Sequence, residues 1–597
     1  MLRLHFCFLV LSFSAAVAQE GATVYHSHCS SCHDTGVGRA PLLEGFRRVA
    51  LESVQSALMQ GVMVRQGLRL NREEIRAVSA YVTGKKFAPE APERNACTST
   101  PPSFDSALDS PHWNGWGVDS SNQRPQSAAM ARLTADQVPR LKVRGAFGFD
   151  GAWRADSQPT VAGGRLFVAG TNNRVFALDA ATGCLRWAFA TDAGVRTAIS
   201  IGRVGTDWAV YFGDIGGSVY AVNAVTGKLI WKTQVEDFPG ASITGAQTLY
   251  GGTLYVPVSS MEELLAGEKD YECCRFRGSV SAVDAATGKV LWKGYTIPDA
   301  VQPTHKNSAG VQMWSPSGGA VISAPTVDPV RRAIYVTTGD SYSHPAASTT
   351  DSFVALSMDT GQMLWSAQMT LNDTFNNACV MKDSANCPDT LGPDADFLSS
   401  PMLISLPSGQ RALIAGQKSG VVHAVDPDQP GKILCQTRIG DGYVGWGGAA
   451  DDRTAYIAYS GMKWDRNRLL DLDAGSGLFA LDLATGKMVW YAPPGICGIQ
   501  PSCSTAQSAA MTLIPGIIFS GSLDGHLLAC STSNGQWIAD FDTAKPPKTV
   551  NGVPAHGGSL DGPGPVVVDS MVFVNSDYDL AGGMPGNVLL AFSVDGK

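Results

Sequence analysis

No cluster of lysine or arginine interrupts this chain, and only 16% of its residues are charged, with a formal net charge of −8. Docking on a phosphate backbone or an anionic membrane needs clustered cations, so nucleic acid and anionic lipid are not expected as partners. Beyond the first twenty residues, no stretch approaches the roughly 18 consecutive apolar residues that a membrane span requires. No cysteine closes that opening stretch, so no stable membrane anchor is expected. The one Cys-x-x-Cys motif has no second copy to complete a zinc ribbon.

What is present starts at residues 1–18, which read as a cleavable leader: one early Arg, an apolar stretch and the small-residue end Ala15-Ala16-Val17-Ala18. A leader sends the chain to an oxidising compartment, most simply the periplasm. Of the 13 cysteines, Cys7 leaves with the leader and Cys29 and Cys32 have another use, leaving an even number to pair. Cys379/Cys387 and Cys497/Cys503 are close enough to close small loops. Partners for Cys97, Cys184, Cys435 and Cys530 stay open at this level.

Cys29-Ser-Ser-Cys32-His33 is contiguous for a chemical reason. Two thiols add across the haem vinyl groups, and the adjacent imidazole then faces the iron, so haem c with His33 as axial ligand is expected. For the sixth ligand, Met63, in a loop after Gly61, is preferred to Met59, which falls in a helix expected over 44–60. A second helix follows, with Asn71 as N-cap, Glu74 at the capping-box position and Ile75, Val78 and Val82 on one face. The order of haem motif, helix, Met loop and final helix resembles small class I cytochromes c, so residues 19–87 are expected to form a small all-α domain. A Met on the iron suits electron transfer rather than oxygen chemistry. Residues 88–107 are Pro-rich and aperiodic, a semi-rigid linker.

Residues 108–597 repeat. The unit is an apolar pair, Asp or Asn, two residues, Thr-Gly, three residues and Trp, as in Asp179 … Gly183 … Trp187. It returns at Asn223/Trp231, Asp284/Trp292, Ser357/Trp365 and Asp482/Trp490. Weaker copies fall at Asp426/Cys435, Ser531/Gly535 and Ser593/Gly596, eight units in all. Each follows a short alternating strand, and Asp-x-x-Thr-Gly is turn chemistry. Eight such blades imply an all-β eight-bladed propeller rather than a solenoid. Because the last unit ends at the C-terminus, a strand from about 110–145 is expected to close the ring.

An eight-bladed propeller with these motifs resembles the quinoprotein alcohol dehydrogenases, which bind pyrroloquinoline quinone (PQQ) and Ca²⁺. Supporting stretches are Val258-Ser-Ser-Met-Glu-Glu263, Glu272-Cys-Cys-Arg-Phe-Arg-Gly-Ser279, Gly416-Gln-Lys-Ser-Gly-Val-Val-His423 and Gly557-Gly-Ser-Leu-Asp-Gly-Pro-Gly564. The resemblance implies Glu263, Asp340 and Asp396 as calcium ligands, with Glu262 and Asp394 as near-neighbour alternatives. It implies Asp396 as the catalytic base, and Leu398 two residues on favours calcium over a lanthanide. It implies Lys418 against the quinone oxygens, Arg196 on a PQQ carboxylate, and Thr244, Ser260 and Trp446 in the pocket. The chain departs from the pattern at Ile322, where the family has a stacking Trp; Ile322 or nearby Trp314 is expected to serve. The adjacent Cys273 and Cys274 are expected to bond to each other and cap the quinone. The function so implied is oxidation of secondary alcohols, a polyvinyl-alcohol-like polymer among them. Electrons would pass from PQQ to haem c and then to an external cytochrome c or similar carrier, with the chain acting as a monomer. Primary alcohols or sugars are the rival substrates, and a non-catalytic propeller carrying an electron-transfer haem is the rival class.

Overall fold

The computed structural model describes residues 20–36, 40–49, 51–60, 63–67, 70, 72–85, 95–100, 103–152, 154–380, 385–464, 470–471, 475–495, 504–577 and 583–597. The leader, Asn71, Cys497 and Cys503 lie outside them. The chain divides into two compact units, Met1–Glu93 and Arg94–Lys597.

The first unit is all α. Residues 20–28 are helical, followed by Ser30–His33, Leu51–Gln60, Val64–Gly67 and Arg72–Thr83. Val24, Tyr25, Val54, Leu58, Leu70, Ile75, Val78 and Val82 form its core. The single helix expected over 44–60 is instead two elements. A 3₁₀ helix spans Leu43–Arg48, and Val49 is extended at φ −83°, ψ 145°. The break has local causes: Lys85 Nζ takes the Val49 carbonyl at 2.6 Å, and Phe46 turns edge-on to the His33 ring at 5.1 Å.

The second unit is a ring of eight antiparallel blades. Seven are four-stranded sheets and the third has five strands. The inner strands start at Thr160, Ser200, Ala241, Thr326, Met402, Ala449, Thr512 and Val566 for blades one to eight, the third continuing through Thr248–Tyr250. Ring closure comes from Leu141–Gly148, which pairs with Val588–Val594 as the outer strand of the eighth blade. That strand begins at the end of the expected window, because residues 113–126 are occupied elsewhere. Residues 95–100, expected as linker, lie on blade one: Cys97 N–H bonds Leu185 O at 2.9 Å, and a Cys97–Cys184 disulfide staples them.

The repeat locks one blade to the next. In the Asp179, Asn223, Asp284 and Asp482 turns the side-chain oxygen accepts from the Thr backbone and hydroxyl, as Asp284 Oδ1 does from Thr287 at 2.8 and 2.7 Å. Glycine follows at positive φ, 75° at Gly288, where a side chain is strained. The absent side chain has a second use: a Cβ on Gly288 would lie 2.6 Å from Trp231 of the preceding blade. Trp231 Nε1 donates to Ala285 O at 3.0 Å, and Trp187, Trp292 and Trp490 bond onward in the same way. In blade five Cys435 replaces the Trp. It stays a free thiol, as does buried Cys530, so the even cysteine count does not become full pairing.

Residues 113–126 form a strap along the inner edge of the ring. Trp113 pairs with Val161, Ser120 O with Val327, Ser121 O with Leu403, Gln123 O with Ala450, and Arg124 O with Leu513. Asn114 Nδ2 reaches Ile201 O and Gln126 Nε2 reaches Val567 O. The strap thus bonds seven of the eight blades. Buried Arg124, stacked between Trp113 and Trp116 at 5.1 and 4.9 Å, has only neutral acceptors, and burial lowers its pKa to about 9.

Candidate active site

The acidic end of the ring is built from residues that precede inner strands and follow second strands. Glu263 follows Thr253–Ser260, Asp340 follows Ala333–Thr337, and Lys418 follows Arg411–Gly416. Asp394 and Asp396 lead into Met402–Ser405.

Asp340, Asp394 and Asp396 each present a carboxylate oxygen within 4.8 Å of the others. Asp340 N–H donates to Asp396 Oδ1 at 2.7 Å, an approach that depends on Gly339, where a Cβ would stand 2.6 Å from that oxygen. Asp340 Oδ2 is buried with no partner. Burial first, then four neighbouring carboxylates, Asp396, Glu263, Asp394 and Asp351, push the Asp340 carboxyl well above its usual range. Anions crowded together in a dry site call for a cation, so the donor set fits Ca²⁺. Lys418 Nζ lies 2.7 Å from Asp394 Oδ1 and 2.6 Å from Asp396 Oδ2. Burial raises the Asp396 carboxyl, but Lys418 and the Asp340 N–H outweigh it and hold the group below its ordinary value. Asp373, which nothing in the motifs marked, fixes this loop by accepting from Asp394 N and Ala395 N at 3.1 and 2.7 Å.

The two adjacent glutamates separate cleanly. Glu262 is fully buried, and its carboxylate accepts from Tyr271 OH at 2.9 Å and from Arg275 N and Phe276 N at 2.7 Å. It holds the loop that carries Cys273 and Cys274. Glu263 faces the acids: burial first, then Asp396, push it up to about 7. The tight group of three nonetheless contains Asp394 rather than Glu263.

Cys273 and Cys274 are bonded to each other and wholly buried in one apolar cluster with Phe276 and Tyr342, against which Ile322 packs. Trp314 sits in a hairpin strand whose backbone pairs with Cys273 at 2.8 Å, so of the two expected substitutes Ile322 is the one in this cluster. Arg196 lies 4.8 Å over the Trp446 ring. Trp446 in turn bonds Asp561, a buried acid that also accepts from Ser508 Oγ at 2.6 Å and Gly562 N at 2.8 Å. Asp561 falls within the Gly557–Gly564 stretch, where no motif singles it out. The Thr244 hydroxyl pairs with Ser259 at 2.8 Å, and Ser260 Oγ accepts from Glu262 N at 3.2 Å.

In the helical unit Cys29 and Cys32 pair with no other described cysteine. His33 Nδ1 lies 2.7 Å from Pro41 O. A carbonyl only accepts, so Nδ1 carries the proton and Nε2 is left to face iron. Met63 packs on the same cluster as Cys29 and Phe46. These residues fit a covalent haem; the Met59 side chain lies outside the described residues.

The PQQ_2 repeat model, described as outer membrane protein assembly factor BamB, matches residues 116–302 and 277–581. A model described as cytochrome c oxidase cbb3-type subunit III matches residues 16–82. The chain is 38% identical to a polyvinylalcohol dehydrogenase from Pseudomonas sp, over 99% of this chain and 96% of that protein. It is 37% identical to another from Sphingopyxis sp., over 97% and 93%. Among solved structures, the quinohemoprotein alcohol dehydrogenase of Comamonas testosteroni aligns with a TM-score of 0.59 at 18% identity, covering 82% of this chain and 81% of that one.

Proposed function

This chain belongs to the polyvinylalcohol dehydrogenase family of PQQ-dependent alcohol dehydrogenases, and on that premise we propose that it oxidises secondary hydroxyls of polymeric polyols in the periplasm. The observation that carries the reading is Asp396, a carboxylate kept ionised between Lys418 and the Asp340 N–H. PQQ with Ca²⁺ supplies the two-electron acceptor, and haem c the one-electron exit.

Asp396 takes the substrate hydroxyl proton, as a positioned general base does. Glu263, Asp340 and Asp396 would hold the calcium, with Asp394 beside them. Lys418, shared between Asp394 and Asp396, would also bind the quinone oxygens, and Arg196 would pair a quinone carboxylate. The Cys273–Cys274 loop, braced by Glu262, covers the pocket with Tyr342 and keeps water out. Cys29, Cys32 and His33 with Met63 would hold the haem, which would supply a one-electron exit to an external cytochrome c. The leader and the disulfides support export, and none of the described helices is long and apolar enough to cross a membrane.

Turnover of the polymer, 2-propanol, ethanol and glucose with an artificial acceptor tests the substrate assignment. Higher kcat/KM on the polymer and 2-propanol is expected; preference for ethanol or glucose would reassign the substrate.

A further inference from the structure

Strand register orders the channel in layers. Ala198, Ala246, Ala324 and Gly447 each stand two residues ahead of Ser200, Thr248, Thr326 and Ala449, residues that hold matching places in the pairing of blades two, three, four and six. One side chain meets all four positions. Trp116, from the strap, packs on Ala198, Ala246 and Ala324, and a Cβ on Gly447 would lie 3.4 Å from its Cζ2. Blades two and six are opposite in a ring of eight, so an indole that touches both lies on the axis.

The next layer toward the acids holds Arg196, Thr244 and Ile322, each two residues earlier again; Trp446, one residue ahead of Gly447, joins it through its contact with Arg196. Arg196 and Trp446 come from opposite blades, and their 4.8 Å contact therefore spans the axis, with Arg196 two residues from the Ala198 that Trp116 packs on. A flat aromatic surface is what a planar ring system stacks on, and Ile322 offers none.

We propose that Trp116 is the positioning residue of the cofactor floor. Its indole fills the channel behind the Arg196–Trp446 stack and keeps that stack flat across the axis, so that Trp446 supplies the platform missing at Ile322. The proposal rests on PQQ occupying the acid end of this channel. Trp116 itself touches neither substrate nor quinone. Ala198, Ala246, Ala324 and Gly447 are small because the indole takes their space.

Equilibrium dialysis of PQQ with Ca²⁺ against the full haem-bearing chain tests this in the parent, Trp116→Ala and Trp116→Phe. A cavity behind the platform should weaken PQQ binding about tenfold in Trp116→Ala, with Trp116→Phe restoring most of it. Melting of the cofactor-free proteins is recorded alongside. A lower melting temperature with unchanged PQQ affinity would make Trp116 a structural plug only and overturn the proposal. If Trp116→Ala does not fold, Trp116→Leu replaces it: parent-like affinity in both Leu and Phe variants is equally contradictory. A parent that takes up no PQQ would instead defeat the cofactor reading beneath it.

Discussion

Lys418 Nζ and Asp396 Oδ2 lie 2.6 Å apart, and the same ammonium is shared with Asp394. Burial disfavours the charged lysine, yet the two aspartates keep it protonated. Replacing Lys418 by Gln removes the charge that lowers Asp396, so the acid limb of the kcat/KM profile should move to higher pH. An unmoved limb would show that Lys418 does not set the base.

Gly339→Ala puts a Cβ 2.6 Å from Asp396 Oδ1. Displacing a base by even 1 Å costs about a hundredfold in rate, so kcat should fall by that order while the haem spectrum is unchanged. Parent-like turnover would contradict the close approach.

The adjacent glutamates should fail differently. Glu262→Ala strands Tyr271 OH and two backbone N–H groups, costing roughly 1–3 kcal/mol per unsatisfied group, and should lower the melting temperature. Glu263→Gln should leave melting of the cofactor-free protein near parental and weaken Ca²⁺ binding in a calorimetric titration. Interchanged effects would reverse the two roles.

His423 is buried between Gln417 and Gln436 at 3.2 and 2.9 Å, and burial lowers it to about 4. Its unfolded value is near 6.5, so the unfolded chain binds the extra proton first. The stability from neutral His423 is complete above pH 6.5 and is lost as pH falls toward 4, on the order of 3 kcal/mol. Melting of the parent should decline across that window, and His423→Gln should flatten the decline; identical slopes would contradict this.

Peptide mapping without reduction should recover Cys97–Cys184, Cys273–Cys274 and Cys379–Cys387, with Cys435 and Cys530 alkylated after unfolding. A Cys435–Cys530 crosslink would contradict the blade packing, since Cys435 occupies a Trp site.

The propeller was readable because its signal is local: Asp, Thr, Gly and Trp within nine residues encode a turn and the lock onto the next blade. The strap was not readable. Residues 113–126 have no period, and their partners are backbone groups spread from Val161 to Val567. The acids could be nominated by motif, but Glu262 and Glu263 differ only in which way a short helical turn, Glu262–Leu265, points them. Asp373 and Asp561 act through loops that only the ring brings together. The break at Val49 depends on Lys85, 36 residues away.

The most direct test uses the intact protein's own haem as the indicator. With PQQ and Ca²⁺ supplied, adding 2-propanol or the polymer should reduce the haem without any external mediator, and Asp396→Asn should abolish that reduction while leaving the oxidised spectrum intact. A haem that stays oxidised in the parent under these conditions, or one still reduced in Asp396→Asn, would contradict the account.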